Sequence, residues 1–120
     1  MVLYSFPAFA DTCTEKLPIT IENLSGTFVS LDDPFTVHLT YKIDGTFSGY
    51  IEDKGTIVWR YEGIWKLEGN RQTSVYTYSS LARIPVGTKD EDEIISIGCD
   101  ILTYGSSLSG KIKRYKKVVG

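Results

Sequence analysis

The sequence predicts an all-β protein, an eight-stranded antiparallel up-and-down β-barrel, and three observations carry that expectation. First, apolar residues recur at every second position from Leu24 onward, as in Val37, Leu39, Tyr41, Ile43 and again in Ile57, Trp59, Tyr61, Trp65, Leu67. A period of two places such residues on one face of a strand. Second, these runs are short, punctuated by Gly and Asp, and almost free of helical period. Third, the connections between them are short, which makes consecutive strands antiparallel neighbours. Consecutive half-buried strands must close or stack, because open sheet edges recruit other chains.

The elements follow in order. Residues 11–23, with Pro18, form a lead-in strap. Residues 24–31 read as the first strand, stopped by Asp32-Asp33-Pro34. Residues 36–43 are the second, and Asp44-Gly45 is a two-residue hairpin signal that returns the chain through 46–52. Asp53-Lys54-Gly55 turns it into the longest run, 56–68. Gly63 in the middle marks a bulge or bend, so this run is either one bent strand or two. Gly69-Asn70 leads into 72–81, where alternation does not decide whether Tyr76 and Tyr78 or Val75 and Thr77 point inward. Residues 83–90 read as a loop containing Pro85 and Gly87, and the acidic run Asp90-Glu91-Asp92-Glu93 as a solvated lead into the next strand. Residues 93–99, 100–104 and 110–119 complete the count.

A chain of 120 residues with net charge −2 is one domain of ordinary globular composition. No stretch approaches the roughly 20 apolar residues of a membrane-spanning helix. Lys111, Lys113, Arg114, Lys116 and Lys117 crowd the last strand, but they interleave with Ile112, Tyr115 and Val118. That spacing reads as a solvated strand face rather than a nucleic-acid surface. Residues 1–10 are expected to be the remnant of a signal peptide: Val2 to Phe6 is apolar, and Ala8-Phe9-Ala10 has the small-x-small form of a cleavage site. Residues 11–120 then form the exported domain, periplasmic or secreted. In an oxidising compartment Cys13 and Cys99 are expected to pair, closing a loop worth on the order of 4 kcal/mol.

Leu24-Ser25-Gly26-Thr27-Phe28 resembles the Gly-x-Trp signature that opens the barrel of lipocalins, with Phe28 in place of Trp. Asp44-Gly45-Thr46-Phe47 and Gly63-Ile64-Trp65-Lys66-Leu67-Glu68-Gly69-Asn70 are similar to the hairpin and strand–turn patterns of small bacterial lipocalin-like domains. The resemblance spans residues 24–118. It implies a calyx-shaped barrel with small apolar cargo, closed by Gly26, Phe28 and Arg114, the Arg packing over the first-strand aromatic.

The candidate ligand-binding residues are Tyr41, Phe47, Trp59, Tyr61 and Trp65, which share one face if Gly63 preserves the phase. Such rings suit an apolar ligand that needs one or two oriented hydrogen bonds. The same rings could instead fill the barrel, and the sequence leaves both arrangements open. Arg60, Glu62, Lys66 and Glu68 alternate with them and read as a solvated outer face with cross-strand ion pairs. No nucleophile, phosphate-loop or metal-ligand motif is present, and His38 is the only histidine, so no enzyme, metal or cofactor is expected. The expected partner is a small apolar or amphipathic ligand. The alternative is an inhibitor- or immunity-type protein that binds a protein partner through the loop of residues 83–93.

Overall fold

A computed structural model describes residues 15–31, 33–107 and 110–118. The chain order is β1 (Lys16–Leu17), α1 (Ile21–Leu24), β2 (Gly26–Ser30), β3 (Thr36–Tyr41), β4 (Thr46–Asp53), β5 (Thr56–Glu68), β6 (Arg71–Ser79), β7 (Lys89–Gly98), β8 (Ile101–Gly105) and β9 (Ile112–Val118). Strands β2 to β9 each pair antiparallel with the next, and β2 pairs with β9, so eight strands close an up-and-down barrel. The short β1 is an addition. It pairs Lys16 with Gly98 and Leu17 with Ile97, covering the end of β7 that outruns the β5–β6 turn.

The expected first strand begins two residues late. Thr20 caps a single helical turn by accepting a hydrogen bond from the Asn23 amide at 3.1 Å, and Leu24 therefore belongs to α1 rather than to β2. One turn is too short to show a helical period. Leu24 is fully buried, and α1 seats it in one end of the barrel.

β5 is one unbroken strand of 13 residues, and its phase holds through Gly63: Tyr61, Gly63 and Trp65 are all buried. The irregularity falls on its partner instead. Glu62 pairs with Tyr78 and Gly63 with Tyr76, leaving Thr77 as the extra residue of a bulge. This settles the orientation of β6: Tyr76 is buried and Tyr78 is exposed. Gly63 is required by close packing, since a Cβ there would lie 2.4 Å from the Phe47 ring and 2.2 Å from the Val75 carbonyl oxygen.

The acidic run is not a solvated loop. The loop ends at Thr88, and residues 90–93 pair with β6 in register, Asp90 with Ser74 and Asp92 with Gln72. Alternation then turns Asp90 and Asp92 inward and leaves Glu91 and Glu93 exposed. The surface assigned to a protein partner, residues 83–93, is thereby split between a loop and a barrel strand.

The closure set also changes. Arg114 is exposed, on the opposite face of β9 from buried Tyr115. The cation over Phe28 is Lys117, whose Nζ stands 6.0 Å from the ring centroid. Its stem passes Gly26 so closely that a Cβ there would lie 2.7 Å from the Lys117 Cε.

Arg60, Glu62, Lys66 and Glu68 are exposed as expected. The ion pairs among the described residues lie elsewhere, between His38 and Glu52, Lys89 and Glu91, and Asp33 and Lys113. No helix among the described residues is long and apolar enough to cross a membrane. Residues 1–10 and Cys13 lie outside the described residues, as does most of the lead-in before β1.

Candidate binding site

The two ends of the barrel differ because the inward residues differ along its axis. At the end carrying α1 and the Asp44-Gly45, Gly69-Asn70 and Cys99-Asp100 turns, the interior is filled by Leu24, Phe28, Trp65, Ile94, Ile97 and Leu102, each at most 6% exposed. Trp65 belongs to this plug. Its indole N–H donates to the carbonyls of Lys42 and Thr46 at 3.0 and 3.1 Å, which ties it to the β3–β4 hairpin.

The other end carries the β2–β3, β4–β5, β6–β7 and β8–β9 connections, and there the interior is hollow. A cavity of about 380 Å³ opens between these loops. Of the five aromatic residues singled out from the sequence, Tyr41, Phe47, Trp59 and Tyr61 line it and Trp65 does not. Tyr76 joins them.

One wall is aromatic. Phe47 from β4, Trp59 and Tyr61 from β5 and Tyr76 from β6 form a continuous cluster, with Trp59–Tyr61 centroids at 4.6 Å, Phe47–Tyr76 at 5.6 Å and Tyr61–Tyr76 nearly perpendicular at 5.9 Å. Polar tips are satisfied at the backs of these rings. The Trp59 indole N–H donates to Ser79 Oγ at 2.9 Å, and the Tyr61 hydroxyl donates to the His38 carbonyl at 3.1 Å. Tyr41, deeper in the barrel, donates to Gln72 Oε1 at 3.2 Å.

The facing wall is polar. β7 contributes Asp90 and Asp92, β8 contributes Tyr104, and β9 contributes Lys113 and Tyr115. Asp90 is 8% exposed. Its Oδ2 accepts from the Tyr76 hydroxyl at 2.9 Å, while Oδ1 is buried with no hydrogen-bond partner among the described residues. Asp92 accepts from the Ser107 amide at 3.1 Å. Burial raises the pKa of both carboxyls above the usual range; the Tyr76 bond on Asp90 and the Ser107 bonds on Asp92 partly offset it, and the nearby Asp90 charge adds to the rise on Asp92. At the rim Lys113 is ion-paired with Asp33 of the β2–β3 connection, so its charge is spent locally. Burial also pushes the phenols of Tyr41, Tyr61, Tyr76 and Tyr104 well above their ordinary value and that of Tyr115 up to about 12, so all five are neutral donors near neutral pH.

Alternation places Tyr41, Phe47, Trp59 and Tyr61 on the inner face of this cup, whereas it leaves Tyr76 undecided. It does not reveal Asp90 and Asp92, since a run of four acids shows no apolar–polar contrast. Their signal is indirect: Gln72 and Ser74, the inward residues opposite them on β6, are polar too. His38 lies on the outside of the barrel, stacked on Tyr50 at 4.3 Å and bonded to Glu52 at 2.6 Å, away from the cavity. No cluster of three or more His, Cys, Asp and Glu side chains among the described residues could hold a metal ion.

No protein-family model matches the chain, and no significant match is found among curated proteins or solved structures. The closed eight-stranded barrel is compatible with a lipocalin-like fold.

Proposed function

We propose that this is an exported lipocalin-like protein that takes a small apolar or amphipathic ligand into the open end of its barrel. The observation that carries the reading is the cup itself: a hollow of about 380 Å³ with an aromatic wall, stoppered at one end and open at the other. Volumes of this order, lined by rings with a few convergent polar groups, are typical of small-molecule sites. A barrel of eight strands is just wide enough to hold one such ligand.

Export is supported by Ala8-Phe9-Ala10 and by the placement of Cys99 in the β7–β8 turn. Lys16 pairs with Gly98, so β1 lies beside that turn.

The test is fluorescence titration with N-phenyl-1-naphthylamine. Trp59 lines the cup, and Trp65 lies just beneath it, 5.1 Å from Tyr41 between ring centroids. Dye entry should quench tryptophan emission saturably and brighten the dye, and Trp59→Phe should remove most of the quenching. A flat titration with this dye and with short-chain alcohols would end the proposal.

A further inference from the structure

Resting on the reading of the barrel as a ligand cup, we infer that the ligand carries a cationic head, an ammonium or similar donor group, seated at the Asp90 carboxyl group with its apolar body against Tyr61, Trp59 and Tyr76. The argument begins with what the carboxylate lacks. Asp90 is more than nine-tenths buried, lines the cavity, and uses one oxygen on the Tyr76 hydroxyl, leaving Oδ1 without a donor among the described residues. A buried acceptor left unmade is costly, and a protein gains by retaining one only where something supplies the missing donor.

The charge balance selects the kind of donor. Lys113, the cation lining the cavity, is held by Asp33, while neither Asp90 nor Asp92 has a cationic partner among the described residues. The polar wall is therefore net negative. An anionic ligand would meet two carboxylates and neutral phenols, which is repulsive on one side and indifferent on the other. A cation finds a carboxylate on the polar wall and aromatic rings in the same cavity, and both attract positive charge.

The register makes this an arranged feature. Asp90 stands opposite Ser74, and Tyr76, the next inward residue of β6, reaches over to bond it. The hydroxyl thus holds the carboxylate in one orientation.

Matched ligands test the inference at neutral pH by displacement of N-phenyl-1-naphthylamine from the whole protein: 2-phenylethylamine, 2-phenylethanol and 3-phenylpropanoate, with hexylamine, hexanol and hexanoate as a second set. The amines should bind about tenfold or more tighter than the alcohols, and the carboxylates weakest, the margin expected of one charge-assisted hydrogen bond. Asp90→Asn retains an acceptor for Tyr76 and should erase the amine preference, bringing the amines to the affinity of the matched alcohols in that variant. Alcohols equal to amines in the wild-type protein, or an amine preference that survives Asp90→Asn in a variant of unchanged circular dichroism, would overturn the inference and leave the cup intact. If neither dye nor any of the six compounds enters, the cup reading fails and this inference with it.

Discussion

Asp90→Asn makes a stability prediction whose sign is opposite to the usual effect of removing a charged hydrogen-bonding residue. The side chain is 8% exposed, one oxygen is bonded to Tyr76, and the other has no partner among the described residues. Leaving a buried acceptor unmade costs roughly 1–3 kcal/mol, with charged groups at the upper end. Asn has the same shape and keeps the acceptor for Tyr76, and its own unpartnered amide is neutral. The net gain at neutral pH is about 1–2 kcal/mol, or roughly 4–8 °C in Tm for a domain of this size. The pH dependence follows from linkage. In the unfolded chain the Asp90 carboxyl titrates near its ordinary value of about 3.9, and burial raises it in the barrel. Between those two values the native state holds a proton that the unfolded state has released, so wild-type stability falls as pH rises through that interval. Below about pH 4 both states are protonated, the carboxyl is neutral, and variant and wild type converge. The groups sharing the cavity do not reverse this. Asp92 is raised in part by Asp90 and relaxes in the same direction, and the tyrosines stay neutral. Thermal melts followed by circular dichroism from pH 3 to pH 8 measure the difference. A variant less stable than wild type at neutral pH, or a gap that persists undiminished at the acid end, would refute the account.

Two further outcomes bear on the scaffold. Gly63→Ala places a Cβ against the Val75 carbonyl and the Phe47 ring, one of which is backbone and cannot move aside cheaply; it should lower stability by about 1–3 kcal/mol in urea unfolding, and a neutral result would show that β5 and β6 are not packed this closely. Cys13 and Cys99 should titrate as no more than trace thiol in unreduced, denatured protein, and reduction should lower the unfolding midpoint; two titratable thiols before reduction would remove the bridge.

Alternation exposed most of the barrel because its inward residues contrast with their neighbours: Tyr41, Phe47 and Tyr61 each sit between polar or small residues. It failed where that contrast vanishes or the phase slips. Asp90 to Glu93 is a strand with acids on both faces, and it is held in place by pairing with β6, a non-local term that no short window contains. Lys117 occupies an inward position on β9 because its stem can lie along Phe28 while its ammonium reaches the barrel end. Four basic residues around it hid which one that was. The extra residue in β6 turned Tyr78 outward two positions after Tyr76 had pointed in. β1 and α1, of two and four residues, are too short for any period and form because the projecting end of β7 and the open barrel end need covering.

The division between plug and cup is drawn along a single strand. On β7 the inward positions read Asp90, Asp92, Ile94 and, past an irregularity in the pairing with β8, Ile97. The lower two pack against Leu102 and its neighbours in the buried cluster. Branched apolar side chains at the upper two would extend that packing upward and fill the hollow. Carboxylates there, facing Gln72 and Ser74, interrupt the apolar packing, since a buried carboxylate needs hydrogen-bond donors that aliphatic neighbours do not supply. A solid barrel would be the more stable product of the same eight strands, as expected for Asp90→Asn in miniature. The fold can tolerate the unmade bond because its cohesion is concentrated at the opposite end, where Leu24, Phe28, Ile94 and Leu102 are essentially sealed from solvent. Stability surrendered locally, at positions lining a hollow, is the pattern expected where the lost packing serves binding.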